Sequence, residues 1–240
     1  MKQNLRVHCF QHAIYDGAIS SHDYLLRHGA HITTTEFFAL PQDAEIEIDA
    51  LPLPTDVDLL MVMGSQLNVE DEANLPWLKI EKRWIRRYLA ANKPLIGLGA
   101  GGQLVASALG SAVVKPQDRI GPNWVKVHGV NGLPSHCFQV PPSIDVMSWY
   151  GGETFDIPKG AIHLAMSNDS ANQAYQLKNN ILGFQFCPEM TPEHLNRYLE
   201  EHQNSAEDYL TQFDYQSLLA KESFLRNNDL LVKAIEFVLR

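Results

Sequence analysis

Only three cysteines occur in the 240 residues, Cys9, Cys137 and Cys187, an odd and widely spaced set. They make neither a disulfide framework nor the paired spacing of a zinc site, and a reducing cytoplasm is the expected compartment. No apolar run approaches the length that spans a bilayer, and Met1 to Phe10 lacks the apolar stretch and cleavage site of a signal peptide. Positive charge is also scarce. With 19 Lys and Arg against 28 Asp and Glu, the formal charge is -9, which disfavours nucleic acid and anionic membranes as partners. There is no internal repeat and no low-complexity tract. Nothing in the composition calls for a metal or other cofactor, and none is expected.

What is present is an ordinary globular balance, 45% hydrophobic and 20% charged. A chain of this length can bury roughly three quarters of its unfolded surface in one core. One domain over residues 1–240 is therefore expected, with a core at 5–202 and a helical tail at 205–240. Leu5 to Phe10 and His31 to Phe37 read as strands around a helix at Ala18 to His28, which is one βαβ unit. Val57 to Met63 is a continuous apolar run of buried-strand length. From Leu75 to Asn92, Trp77, Leu78, Trp84, Ile85, Tyr88 and Leu89 recur at helical spacing, while Lys82, Arg83, Arg86 and Arg87 read as a solvated face. Pro94 to Leu98 is the next strand and Gln103 to Leu109 the next helix. This alternation predicts an α/β fold, a doubly wound and mostly parallel sheet with helices on both faces.

After Gly110 the pattern shortens. Trp124 to Val127, Phe138 to Val140, Ile162 to Met166, Ala174 to Leu177 and Ile181 to Phe186 read as strands of a small mixed or antiparallel extension. Thr191 is a helix cap with Pro192 at the first helical position.

The segment Gly97-Leu98-Gly99-Ala100-Gly101-Gly102-Gln103 runs from a buried strand through glycines into a helix. Two mechanisms use that shape. A nucleophile elbow projects a Ser or Cys from a strained turn at the top of a sheet. A dinucleotide fingerprint needs G-x-G-x-x-G, which Gly97, Gly99 and Gly102 satisfy, with Asp118 at a tolerable distance for a ribose contact. The dinucleotide reading would make the chain an oxidoreductase, but its glycines should follow the first strand of the unit. Here a βαβ unit and a further strand precede them.

Val62-Met63-Gly64-Ser65-Gln66, Gly97 to Gln103, and Gly183-Phe184-Gln185-Phe186-Cys187-Pro188-Glu189-Met190-Thr191 resemble the three successive signatures of class I glutamine amidotransferases. The likeness extends to stand-alone members similar to the glutaminase domain of GMP synthase, through Pro76-Trp77-Leu78, Trp149, Thr154-Phe155-Asp156 and Asn172-Gln173-Ala174. The resemblance implies a flavodoxin-like amidotransferase fold. It also implies a triad in which a cysteine at the elbow attacks the glutamine side-chain amide, a histidine moves the protons, and a glutamate orients the ring.

On this alignment of motifs the triad positions are Gly99, Cys187 and Glu189, so the nucleophile and the imidazole are both missing. By the same resemblance, the Ala100 N–H and a group near Gly64 and Ser65 form an oxyanion hole, and Gln103 and Trp149 line the ligand pocket. Ser65-Gln66 replaces the usual Gly-Pro, and Tyr150-Gly151-Gly152-Glu153 departs from the His-Gly-Asp of close relatives. A protein without glutaminase chemistry is expected, with a small amide, an amino acid or a protein partner as its ligand. The alternative is an active amidotransferase or hydrolase of the same scaffold using Cys187 or another displaced nucleophile. The other histidines, including His12 and His163, show no ligand spacing and are expected to pack or face solvent. Oligomeric state is not legible.

Overall fold

The computed structural model describes residues 4–14, 17, 19–64, 67–114, 122–149, 155–201, 218–219 and 221–240. Its first half is built of parallel strands. β1 (Arg6–Gln11), β2 (His31–Glu36), β3 (Leu59–Val62) and β4 (Leu95–Gly97) alternate with α1 (Ile19–Arg27), α2 (Trp77–Ala90) and α3 (Ala100–Ala108). β5 (Asn123–Gly129), β6 (Ile144–Ser148), β7 (Ile162–Ser167), β8 (Ala174–Leu177) and β9 (Ile181–Phe184) follow, then α4 (Pro192–Glu201) and α5 (Lys221–Val238). Among the described residues these strands form one sheet in the order β2-β1-β3-β4-β9-β8-β7-β5-β6. The pairs from β2 through β9 are parallel, and those from β9 through β6 are antiparallel. The expected doubly wound sheet with an antiparallel extension is what the chain adopts.

The period of two in β3 decides which helices cover which face. Leu59, Met61 and Met63 point into a core completed by Leu25 of α1 and by Leu230, Leu231, Ala234 and Ile235 of α5. Leu60 and Val62 point the other way, onto Trp84, Ile85 and Tyr88 of α2 and Leu104 and Val105 of α3. The carboxyl-terminal helix is therefore half of one core layer, not an appended tail. Residues 205–217 of the expected tail lie outside the described residues.

Two expectations need correction. Phe138 to Val140 is not a strand: Phe138 donates its N–H to the Gln176 side-chain oxygen at 2.7 Å, so its backbone is satisfied without a ladder. The strand in that region is β6, Ile144–Ser148, which pairs with β5. Lys82 is not solvated. Its ammonium lies 3.2 Å from Glu70 and 2.8 Å from Glu72 with the side chain 5% exposed, whereas Arg83, Arg86 and Arg87 are exposed as expected. Thr191 does cap α4, its hydroxyl accepting the His194 N–H at 3.4 Å. No described helix is long and apolar enough to cross a membrane.

Candidate functional site

In an open parallel sheet the strand ends deliver loops to one edge. β3 delivers Gly64, β4 delivers Leu98 and Gly99, and β9 runs on to Cys187 and Glu189. Hydrogen bonds lock these three segments together. Leu98 N–H donates to Val62 O at 2.9 Å, Gly99 N–H to Phe186 O at 3.1 Å, and Cys187 N–H to Met147 O at 2.8 Å. The three sites named from sequence thus converge. A β-carbon built on Gly99 would lie 2.9 Å from Cys187 Sγ and 3.4 Å from Gly64 Cα.

Gly99 has φ 53° and ψ -123°, outside the regions that L side chains adopt readily. This is the strained strand-to-helix turn expected at residue 99, and a glycine occupies it. Glycine relieves a cost of order 1–3 kcal/mol at such a position. α3 begins at Ala100, whose N–H precedes the helix's own ladder and has no backbone acceptor among the described residues.

The neighbouring glycines serve packing. A β-carbon on Gly101 would meet Val62 O at 2.0 Å, and one on Gly102 would meet Phe184 O at 2.4 Å. Strand carbonyls thus press on both residues. The G-x-G-x-x-G match is a consequence of close helix–sheet contact, and Asp118 lies outside the described residues.

Glu189 is 1% exposed. Burial pushes its carboxyl up to about 8, against the lowering effect of its own backbone N–H and of a hydrogen bond from the Cys187 thiol. The second oxygen, Oε2, has no hydrogen-bond partner among the described residues. The Glu189 carboxyl thus accepts from the Cys187 thiol.

The loop around it is held by the two helices that cover one face of the sheet. Ser20 N–H of α1 donates to Glu189 O at 3.3 Å, and Asn228 of α5 donates to Pro188 O at 2.8 Å and Met190 O at 3.0 Å. Cys187 also belongs to an apolar cluster with Met147, Trp149, Met190, Leu195 and Phe224.

The remaining residues named from sequence are turned toward the protein. Gln103 is 3% exposed and its Nε2 points at Gln185 Oε1 at 3.4 Å. Trp149 is 7% exposed and packs on Tyr198, ring centroids 4.5 Å apart. Ser65, Gln66 and Tyr150 to Thr154 lie outside the described residues. His163 bonds to Ala165 O at 2.8 Å.

One constellation beside the site was not anticipated. His12, expected to be a surface or packing residue, places Nε2 2.9 Å from Glu81 Oε1 and Nδ1 3.1 Å from Met63 O, one residue before Gly64. Both side chains are essentially inaccessible, at 1% and 0%. The ring lies parallel to Phe37, with Trp77 on the same stack. Glu81 carries the one readable signal, because it interrupts the apolar stripe of α2 between Leu78 and Trp84. A carboxylate on a buried helix face needs a partner.

The sequence model of the family Glutamine amidotransferase class-I matches residues 13–203. The chain belongs to the class I glutamine amidotransferase family. A glutamine amidotransferase-like protein of Acanthamoeba polyphaga mimivirus is 22% identical over 224 residues, covering 90% of this chain and 96% of that protein. Among solved structures, a glutamine amidotransferase from Thermotoga maritima superposes with a TM-score of 0.84 at 22% identity, covering 100% of both chains. A candidate GMP synthase subunit from Thermoplasma acidophilum superposes with a TM-score of 0.65 at 17% identity, covering 99% of this chain and 96% of that one. At these identities the structural likeness establishes the fold.

Proposed function

We propose that this chain is an amidotransferase-family protein that does not hydrolyse glutamine and that keeps a binding site at this edge of the sheet. The observation that carries the reading is the Gly99–Cys187 pair: the elbow has its backbone geometry but no side chain, and a thiol sits where the imidazole belongs. Thioester formation needs a nucleophile on the elbow and a group that protonates the departing amine. Neither position supplies one. The Ala100 N–H and the strand ends around Gly64 support a binding role for a small amide or amino acid, or for a protein that docks over this edge. A reducing cytoplasm suits three buried cysteines that form no disulfide.

Two measurements test this. Ammonia release from glutamine should not exceed that of heat-denatured protein, and release above that background that survives repurification would overturn the reading. A crystal soaked with glutamine should show density between Gly64 and Gln103 if the binding role is for the amide. An empty edge would leave the protein partner as the ligand.

A further inference from the structure

The geometry points to a relocated nucleophile: we propose that Cys187, with Glu189 as its proton acceptor, takes an acyl group from a small thioester. The inference rests on the elbow being vacant, as read above. The sulfur has moved from one element to another without leaving the site, since Cys187 Sγ lies 2.9 Å from a β-carbon built on Gly99 and 3.3 Å from one built on Gly64. It stands beside the amino terminus of α3, where the Ala100 N–H is available to a developing oxyanion.

A lone buried cysteine would carry no such meaning. Glu189 adds a second observation, because its carboxyl is 1% exposed, receives the thiol hydrogen bond, and leaves Oε2 without a partner among the described residues. A buried oxygen in this state calls for a water, an ion or a reacting group as its partner. Cys9 is the internal comparison, a thiol in the apolar core that burial pushes up to about 12.

The leaving group follows from what the site offers. An amine is expelled from a tetrahedral adduct only after protonation, which here would have to come from Glu189 before the bond breaks. A thiolate leaves unaided. In the step, which runs once pH reaches about 8 and Glu189 is ionised, the thiol proton passes to the Glu189 carboxylate and sulfur adds to the thioester carbonyl carbon. The C–S bond to the leaving thiolate then breaks, and that thiolate takes up the proton. One thioester is exchanged for another, with no oxidant or reductant. The acyl group must be small, because Sγ is wedged between Gly64 and Gly99.

The test is incubation of the intact protein with the acetyl thioester of N-acetylcysteamine, followed by peptide mass mapping. One acetyl group on Cys187, acquired well before Cys9 or Cys137, is the expected result. Glu189→Gln should slow the reaction by about 10²-fold, the scale of a lost general base, while the circular dichroism spectrum stays that of the parent. An unmodified Cys187, or modification of all three cysteines at one rate, overturns the proposal, and so does a folded Glu189→Gln protein that reacts as fast. Mapping on the unmutated chain decides even if the variant fails to fold. Ammonia release measured in parallel separates the two claims: no acetylation with no ammonia defeats only the relocation, whereas ammonia from glutamine defeats the vacant-elbow reading itself.

Discussion

Cys187 Sγ stands 2.9 Å from the point where a β-carbon on Gly99 would be. In a disulfide, the β-carbon of one cysteine lies about 3.0 Å from the sulfur of the other, given an S–S bond of about 2.0 Å. Gly99→Cys alone should therefore not yield an enzyme. It should form a disulfide with Cys187 under air, seen as the loss of two hydrogens in the intact mass and of two titratable thiols. A variant that keeps all its thiols under oxidising conditions would mean that the two segments do not approach as closely as described. In reductant the same variant should lose about 1–3 kcal/mol in denaturant unfolding, because position 99 has φ 53°.

Glu189 gives a pH signature. Its carboxyl is raised from 4.5 to about 8 by burial, so the folded state binds its proton more tightly than the unfolded state does. The stabilisation is fully present below about 4.5 and is lost as pH rises through about 8, at roughly 1.4 kcal/mol per unit in that window. Glu189→Gln has no charge to desolvate and still accepts the thiol hydrogen bond. Its stability relative to the parent should rise steadily from pH 5 to pH 8, read from urea midpoints. A difference independent of pH would place the carboxyl in a wetter setting.

The His12–Glu81 pair should behave as a buried ion pair or its neutral equivalent, with both ring nitrogens facing acceptors. Glu81→Ala leaves a buried imidazole and should cost about 3–5 kcal/mol. His12→Phe with Glu81→Leu removes both polar groups and should cost clearly less than the sum of the single changes. Additive costs in the double-mutant cycle would show that the two side chains do not interact.

How much of this is readable from sequence depends on range. The elbow, the three converging segments and the two-faced sheet are legible, because glycine spacing, period-two apolar runs and helical stripes are local signals. Lys82 reads as solvated from sequence, since Glu70 and Glu72 reach it only through the fold of a loop onto α2. Asn228 is invisible for a related reason. It holds Pro188 and Met190 from 38 to 40 residues away, and nothing near it marks that contact. Phe138 to Val140 looks like a strand because it is apolar and buried, but Gln176 satisfies the Phe138 N–H from another strand.

Restoring both missing groups tests whether the site is only disarmed. Gly99→Cys with Cys187→His removes the partner for the disulfide expected of the single variant, and it returns a nucleophile, an imidazole and the Glu189 carboxyl to one edge. The imidazole would enter a cluster now filled by a small thiol between Met147, Trp149 and Met190, so the ring must displace its neighbours. Gln103, which would line the pocket, is bonded to Gln185, and Trp149 is packed on Tyr198. A misplacement of about 1 Å can cost on the order of 10²-fold in rate, so the expected recovery is weak. The double variant should also melt below the parent through strain at position 99. A glutamine-like chloromethyl ketone, followed by mass mapping of residue 99, reads the outcome: a trace of adduct fits a disarmed and drifted pocket, and full reactivity would show that only two residues separate this chain from an active enzyme. A folded variant with no adduct at all would show that the pocket no longer admits glutamine.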